Sequence, residues 1–512
     1  MPSHRLLRLP LAVCLIWASM SQALAQPAPL QGLDDTIEVW LTAWDVPGLA
    51  LAVVQDGEVV YARGYGVRRV DTDQPVNAET VFAVASNTKA FTATLLGQLV
   101  DEGKLSWDDR VIDHLPSFAL FDPWVTREIR VRDLLCHRSG LPTFGGDHLW
   151  IGECQDQGTI LEKLRYLEPT APFRTRFQYQ NLMFLVAGQV VEAVTGETWA
   201  DRVQGKILEP LGMSSATTSV SRLDGQDNVA HPHEVRGGEL KVVAFDAVDC
   251  IAPAGALNSS VFDMAQWMLV NLNGGRHDAG VLFSPSVLAE MQTVHTPRSV
   301  GSRETERFGR HFSGYGLGWG LSDYHGVKLV QHGGGLSGMN SLQTLVPEKN
   351  LGVMVATNFA PNSLTAAVTY HILDIYLGRE PHDWNQTFVD DRDAGQVRAQ
   401  GRETELEEQR IPGTSPSGPL EDFAGTYHDD FSGDTEVRLE EGALVFDYNP
   451  RHRGRLEHWH YDTFRVAWDD AIYDMPQKSF VTFRRGESGG VSGLTVTFYD
   501  PITFERVEDD KR

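Results

Sequence analysis

The feature that most constrains the fold is a change of hydrophobic period along the chain. Leu49 to Val67 reads as a β-hairpin. The arm L-A-L-A-V-V-Q meets Asp56-Gly57, a dipeptide suited to a type I′ turn, and E-V-V-Y-A-R-G-Y-G-V returns. From about Val111 to Leu269 the pattern is mostly helical with long loops, including short apolar helices over Val131–Cys136, Asn181–Thr195 and Val261–Leu272. Strand patterns then reappear at Gly316–Leu321, Val327–His332, Asn340–Pro347 and Leu351–Asn358. Strands at both ends with helices between predict one antiparallel sheet assembled from both termini. That is an α+β class, with the sheet flanked by helices and an inserted helical region. After an apolar helix at Ala366–Leu377 come a charged helical stretch, Asp390–Arg410, and a linker by composition, Pro412–Pro419. From about Leu420 to Arg512 many short strands predict a separate all-β barrel or sandwich. The expected division is residues 26–378, 379–419 and 420–512, after a leader at 1–25.

Within this frame, Phe82 to Ala93 reads F-A-V-A-S-N-T-K-A-F-T-A. Ser86 and Lys89 stand three residues apart at the expected start of a helix running to about Val100, with Phe91, Leu95, Leu96 and Leu99 as its apolar face and Gly103 beyond its end. A hydroxyl becomes nucleophilic when a base takes its proton, and a desolvated lysine can be that base. The same tetrapeptide also fits an N-cap serine followed by a solvated lysine. Tyr179-Gln180-Asn181 precedes an apolar helix. A tyrosine can move a proton near such a pair, and Asn181 could donate to a substrate amide or to the lysine. His332-Gly333-Gly334-Gly335 follows a strand, where glycines allow a close backbone approach and free N–H groups. A flexible hairpin connection is the plainer reading of that tripeptide.

Compartment and partners follow from composition. Arg5 and Arg8, an apolar stretch from Leu9 to Met20 and Ala23-Leu24-Ala25 form a cleavable export signal, so a periplasmic or secreted protein is expected. The formal net charge of −25 is spread along the chain, which argues against nucleic acid and anionic membrane surfaces as partners. Beyond the leader lie Cys136, Cys154 and Cys250; either Cys136 pairs with Cys154 across a loop or all three are buried thiols. His458 with His460, and His231 with His233, alternate along the chain without a third ligand, so no metal site is expected. G-x-S-x-G and H-x-H-x-D-H are both absent.

The order S-x-x-K, then Y-x-N, then H-G-G on a late strand resembles the layout of penicillin-recognising serine hydrolases. Over about Leu33 to Leu377 the chain is similar to the class C β-lactamase-like family, which also holds D-aminopeptidases, D,D-carboxypeptidases and esterases. V-P-G-L-A-L-A-V near Val46, L-L-C-H-R-S-G-L-P near Leu134, P-A-G-A-L-N-S-S near Pro253 and Y-G-L-G-W at Tyr315 add to the likeness. The resemblance implies Ser86 as the acylated nucleophile, Lys89 as its activating partner and Tyr179 as the second acid/base group. It also implies Asn181 as a substrate-side contact and the N–H groups of Ser86 and Gly335 as the oxyanion hole. His332 stands where many members carry lysine in K-T-G. A histidine is mostly neutral near pH 7, so β-lactam chemistry is less expected than peptidase or esterase chemistry. The C-terminal stretch, with L-E-H-W-H-Y-D-T-F from Leu456 to Phe464, resembles a lipocalin-like barrel appended to such hydrolases. The expectation is an exported serine hydrolase, without cofactor, acting on a small amide or ester such as a D-amino-acid peptide. The alternative is a weakly catalytic or non-catalytic relative that binds a peptide or cell-wall fragment.

Overall fold

A computed structural model describes residues 28–470, 479–498 and 501–508, and the leader read at residues 1–25 lies outside them. Strands Gly48–Gln55 and Glu58–Gly66 pair around Asp56 and Gly57, whose φ angles of 52° and 87° are both positive, as a type I′ turn requires. On its other edge the Gly48–Gln55 strand pairs with Leu351–Thr357, which joins the early hairpin to the late strands. The result is an eight-stranded antiparallel sheet. Its order is Glu58–Gly66, Gly48–Gln55, Leu351–Thr357, Met339–Val346, Val327–Leu336, Gly320–Tyr324, Ser313–Tyr315 and Thr296–Arg298.

Both faces of this sheet are covered, which is why the Leu49–Val54 strand is apolar without interruption. Leu49, Leu51 and Val53 pack into a cluster with helices Leu33–Trp44 and Leu364–Leu377. Ala50, Ala52 and Val54 face a larger cluster with helices Thr88–Asp101, Leu182–Thr195 and Val261–Leu272. Thr88–Asp101 is buried on nearly every side rather than along the single apolar face of the sequence reading. Its threonine hydroxyls find partners inside the core, as when Thr92 Oγ1 donates to the Pro253 carbonyl at 2.6 Å.

Four sequence expectations are corrected. Gly316–Leu321 is not one strand, because the loop between Ser313–Tyr315 and Gly320–Tyr324 turns at Gly318, with φ of 75°. A Cβ on Gly318 would lie 2.7 Å from the carbonyl oxygen of Lys89, so this loop rests directly on the lysine's backbone. The strand Val327–Leu336 runs through His332 and all three glycines instead of ending at them. The helix Leu33–Trp44 was not anticipated, and the charged helix begins earlier than read, spanning Trp384–Glu408. Lastly, Cys154 pairs with Cys250, at a Cα–Cα distance of 5.7 Å, while Cys136 is a buried free thiol in the core.

The C-terminal strands, from Gly425–Asp429 to Pro501–Arg506, pair in chain order and close into an eight-stranded antiparallel barrel through Tyr427–Arg506 and His428–Glu505. Phe423, Phe446, Phe464, Phe483 and Phe504 fill it. Outside, Arg465 pairs with Glu403 and Glu407 of the long helix. On another side, the loop after Gly425–Asp429 drives Phe431 into the core of the first domain. A Cβ on Gly146 would stand 2.8 Å from the Phe431 ring and 2.5 Å from Leu182, so a larger residue there would push both aside, at a φ of 88° that already favours glycine. The two domains therefore share packing. Phe431→Ala should cost about 3 kcal/mol of stability in urea unfolding and should make the 409–420 linker more sensitive to protease.

Candidate active site

The turn that carries Ser86 is built by a strained residue. Ala85 adopts the left-handed region at φ 49°, and Ala85–Asn87 make one 3-10 turn that runs into helix Thr88–Asp101. Ser86 sits on this turn and lines a cavity of ≈ 1320 Å³. The Lys89 side chain points back beside it and is completely buried. Its Nζ donates to Ser86 Oγ at 3.0 Å, to Asn181 Oδ1 at 2.8 Å and to the Ala254 carbonyl at 2.9 Å. An ammonium's donors are thus all matched, yet burial pushes the lysine down to about 7, with the charge of Asp147 acting the other way.

Tyr179 lies across the same hydroxyl and is hydrogen-bonded to it; burial holds the phenol above its ordinary range, so it keeps its proton. Lys89 Nζ is 4.8 Å from its ring centroid. His137 clamps this tyrosine. Its ring stacks on Tyr179 at 4.1 Å, its carbonyl accepts from Gln178 N–H at 2.8 Å, and its Nδ1 accepts from Gln180 N–H at 3.0 Å. The residues on either side of Tyr179 are thereby tied to one residue, Gln178 to the His137 backbone and Gln180 to its imidazole, which burial keeps neutral.

His332 faces Ser86 from the sheet. Its Nδ1 is 2.6 Å from the Gly333 carbonyl, which can only accept, so Nδ1 carries the hydrogen and Nε2 accepts from the Tyr315 hydroxyl at 2.7 Å. Burial, first, and the nearby Lys89, second, push His332 down to about 3, and it is neutral at physiological pH. From His332 onward the strand has no partner on the side of Gly320–Tyr324, whose pairing stops at Gln331. That free edge meets the Ala85–Asn87 turn, with Gly333 and Gly335 on the cavity wall. Of the three glycines, Gly334 is the one packing requires: a Cβ there would be 2.1 Å from the Val84 carbonyl. Its close approach is to the chain's own backbone, and Gly335 has open space where a ligand oxygen could sit.

Asn181 also lines the cavity, but both ends of its amide are already engaged. Oδ1 accepts from Lys89, and Nδ2 donates to Asp147 Oδ2 at 2.8 Å. It thus accepts from the lysine, where the sequence suggested that it donates to a substrate amide or to the lysine and the resemblance made it a substrate contact. Asp147, His137 and Tyr315 were not assigned as site residues from sequence. His137 and Tyr315 fall inside motifs quoted above, whereas Asp147 lies in a loop with no local signal. Among the described residues no group of three His, Cys, Asp or Glu side chains could hold a metal. His458 and His460 are separated by a β-bulge, and His233 is committed to Val70 N–H and the Asn358 carbonyl.

A family model described as Beta-lactamase matches residues 33–377, and one described as a domain of unknown function, DUF3471, matches residues 409–509. The chain is 31% identical over 442 residues to unguisins hydrolase ungD′ of Aspergillus campestris, covering 81% of this chain and 79% of that one. It is also 31% identical over 330 residues to penicillin-binding protein 4 of Amycolatopsis lactamdurans, covering 62% of this chain and 82% of that one. Among solved structures, the octameric penicillin-binding protein homologue from Pyrococcus abyssi aligns with a TM-score of 0.60 at 24% identity, over 92% of this chain and 99% of that one. SurE aligns with a TM-score of 0.55 at 22% identity, over 94% and 100%.

Lys89 can accept a proton only when neutral, so the reactivity of Ser86 should rise with pH through about 7 and level off above it. The rate of labelling by a fluorophosphonate should fall about tenfold per unit below that point. Lys89→Ala should remove the limb.

Proposed function

Because the chain belongs to the beta-lactamase family and is a serine hydrolase of that type, we propose that it splits a small amide or ester through an acyl-enzyme on Ser86. The observation that carries this reading is the buried Lys89 amine, 3.0 Å from the Ser86 hydroxyl and brought down to about 7. Neutral Lys89 takes the Ser86 proton as Oγ bonds to the substrate carbonyl carbon. The negative charge on the carbonyl oxygen is met by the N–H groups of Ser86 and Gly335. Collapse breaks the carbon–nitrogen or carbon–oxygen bond of the substrate. Tyr179 gives its proton to the leaving group and is reprotonated from Lys89, and water later releases the acid by the reverse relay.

Substrate choice is read from His332 and the cavity. A neutral imidazole cannot clamp a carboxylate as a lysine would. The substrates favoured are therefore amides or esters without a carboxylate beside the scissile bond, including D-amino-acid amides and short peptides, with β-lactams turned over poorly. The cavity, at ≈ 1320 Å³, exceeds the roughly 300–1,000 Å³ usual for small ligands, which suits a peptide. Similarity to a protein named unguisins hydrolase supports hydrolytic work of this kind. Export is proposed from the leader sequence, and the Cys154–Cys250 disulfide supports an oxidising compartment. Among the described residues no helix is long and apolar enough to cross a membrane.

A panel of D-amino-acid p-nitroanilides, short-chain p-nitrophenyl esters and nitrocefin should show turnover of the first two classes and little of the third. Ser86→Ala should lower kcat by at least about 10³-fold and abolish fluorophosphonate labelling. Undiminished turnover in that variant would sink the assignment.

A further inference from the structure

Resting on the reading of Ser86 and Lys89 above, we propose that Asp147 is a positioning residue: its carboxylate fixes the Asn181 amide with the oxygen toward Lys89, and its negative charge balances the lysine when that amine holds the serine proton.

The orientation of an asparagine amide is set by its partners, and here they leave one choice. Lys89 Nζ can only donate to the end it meets at 2.8 Å, and the Asp147 carboxylate can only accept from the end it meets at 2.8 Å. Without Asp147, nothing else in the hydrogen-bond network holds Nδ2, and rotation of the amide would turn a donor toward Lys89. The lysine would then lose an acceptor in a place where water cannot replace it, since Lys89 is fully buried and Asp147 is 4% exposed.

The loop that carries Asp147 is held from several sides, so the carboxylate cannot withdraw. Phe431 of the barrel packs against Gly146. His148 Nε2 is 3.1 Å from Ser432 Oγ, the Ile151 carbonyl accepts from Asn449 Nδ2 at 2.9 Å, and Cys154 is bonded to Cys250. Directly after Cys250 and Ile251, the short helix Ala252–Gly255 presents the Ala254 carbonyl to the same lysine. The loop and the lysine's other acceptor are thus tied together by the disulfide. The Trp150 indole lies close to Asp147, and neither Asp147 Oδ1 nor the indole nitrogen completes a hydrogen bond of normal geometry.

Charge gives the second half of the case. The titratable groups that face Lys89 are Tyr179, His137, His332 and Asp147. Tyr179 keeps its proton, both histidines are neutral, and Arg298 stands beyond them over the Phe177 ring. Asp147 is raised to about 6 by burial, with the Trp150 and Asn181 side chains and Lys89 pulling it back, so near pH 7 it is the anion of the group. When the proton moves from Ser86 Oγ to Lys89 Nζ, a cation forms in a dry site with this one compensating charge. Asp147 itself gains and loses no proton in the step.

The test is the pH profile of p-nitrophenyl ester hydrolysis by the full chain carrying Asp147→Asn or Asp147→Ala. In Asp147→Asn the shape and the acceptor are kept and the charge is lost. The rising limb of kcat/KM should move to lower pH by on the order of one unit, and plateau kcat should fall about tenfold. In Asp147→Ala the amide is also released, and kcat should fall about 100-fold with KM nearly unchanged. A rising limb and plateau kcat at wild-type values in Asp147→Asn would overturn the proposal, even if thermal stability drops, because a purely structural carboxylate would give that result. A limb moved to higher pH would overturn it as well. If Asp147→Ala does not fold, Asp147→Asn carries the test alone. Persistence of activity in Ser86→Ala would instead overturn the nucleophile assignment, so the two failures are separable.

Discussion

The burial of one lysine amine organises this molecule. Moving Lys89 from 10.5 to about 7 corresponds to about 5 kcal/mol of preference for the neutral form over the ammonium. The native state therefore binds fewer protons than the unfolded chain between those pH values. On this account its stability rises with pH across that window, and below about 7 the fold carries the full cost of a buried cation. Three acceptors from three separate stretches, Ser86, Asn181 and Ala254, contain that cost. Each has to be delivered by its own element: the strained turn at Ala85, the start of helix Leu182–Thr195, and the short helix Ala252–Gly255.

The sheet and the barrel can be understood as the means of delivering them. The free edge of strand Val327–Leu336 packs on the nucleophile turn through Gly334, and the Gly318 loop packs on the carbonyl of Lys89 itself. The helical insertion brings His137 and Tyr179 to the opposite side. The barrel reaches the same site indirectly, by placing Phe431 against Gly146 and by lining the cavity with Arg451, Ser479 and Phe498. Arg451 is in turn fixed by Asp246 at 2.9 Å and by Asp470 at 2.7 Å, a half-buried network that sets the direction of the guanidinium.

What could be read from the sequence was what is local. Ser86 and Lys89 are i and i+3 on one turn, so their contact follows from helical geometry. The hairpin followed from Asp56-Gly57, whose backbone preference is intrinsic to the dipeptide. Tyr179 and His332 were legible only through their order relative to Ser86, since nothing in either segment states what it touches. Asp147 was illegible because its role depends on a loop shaped by Cys250, Phe431 and Asn449, all distant in the chain. The cysteines failed for the same reason. Cys136 and Cys154 are near in sequence, but bonding needs facing Cβ atoms, and burial in the core commits Cys136 elsewhere. The glycines of His332–Gly335 looked like a ligand loop, and one of them instead answers a backbone contact that only the folded sheet creates.

The electrostatic character of the site follows from these packing choices and bears on what it can acylate. Lys89 is close to half protonated near neutral pH, His332 and His137 are neutral, and both Tyr179 and Tyr315 keep their protons. A substrate carboxylate placed beside Ser86 would be stripped of water against a neutral His332, with Asp147 behind the lysine, and the guanidiniums of Arg298, Arg310 and Arg451 stand elsewhere on the cavity wall. A neutral carbonyl compound meets no such penalty. Its charge appears only as the tetrahedral oxyanion forms, so stabilisation of that oxygen is reserved for the transition state instead of being spent on the ground state. A neutral His332 is then consistent with the rest of the site. A permanent cation there would further depress Lys89 by like-charge repulsion, and it would anchor the substrate before any bond has changed.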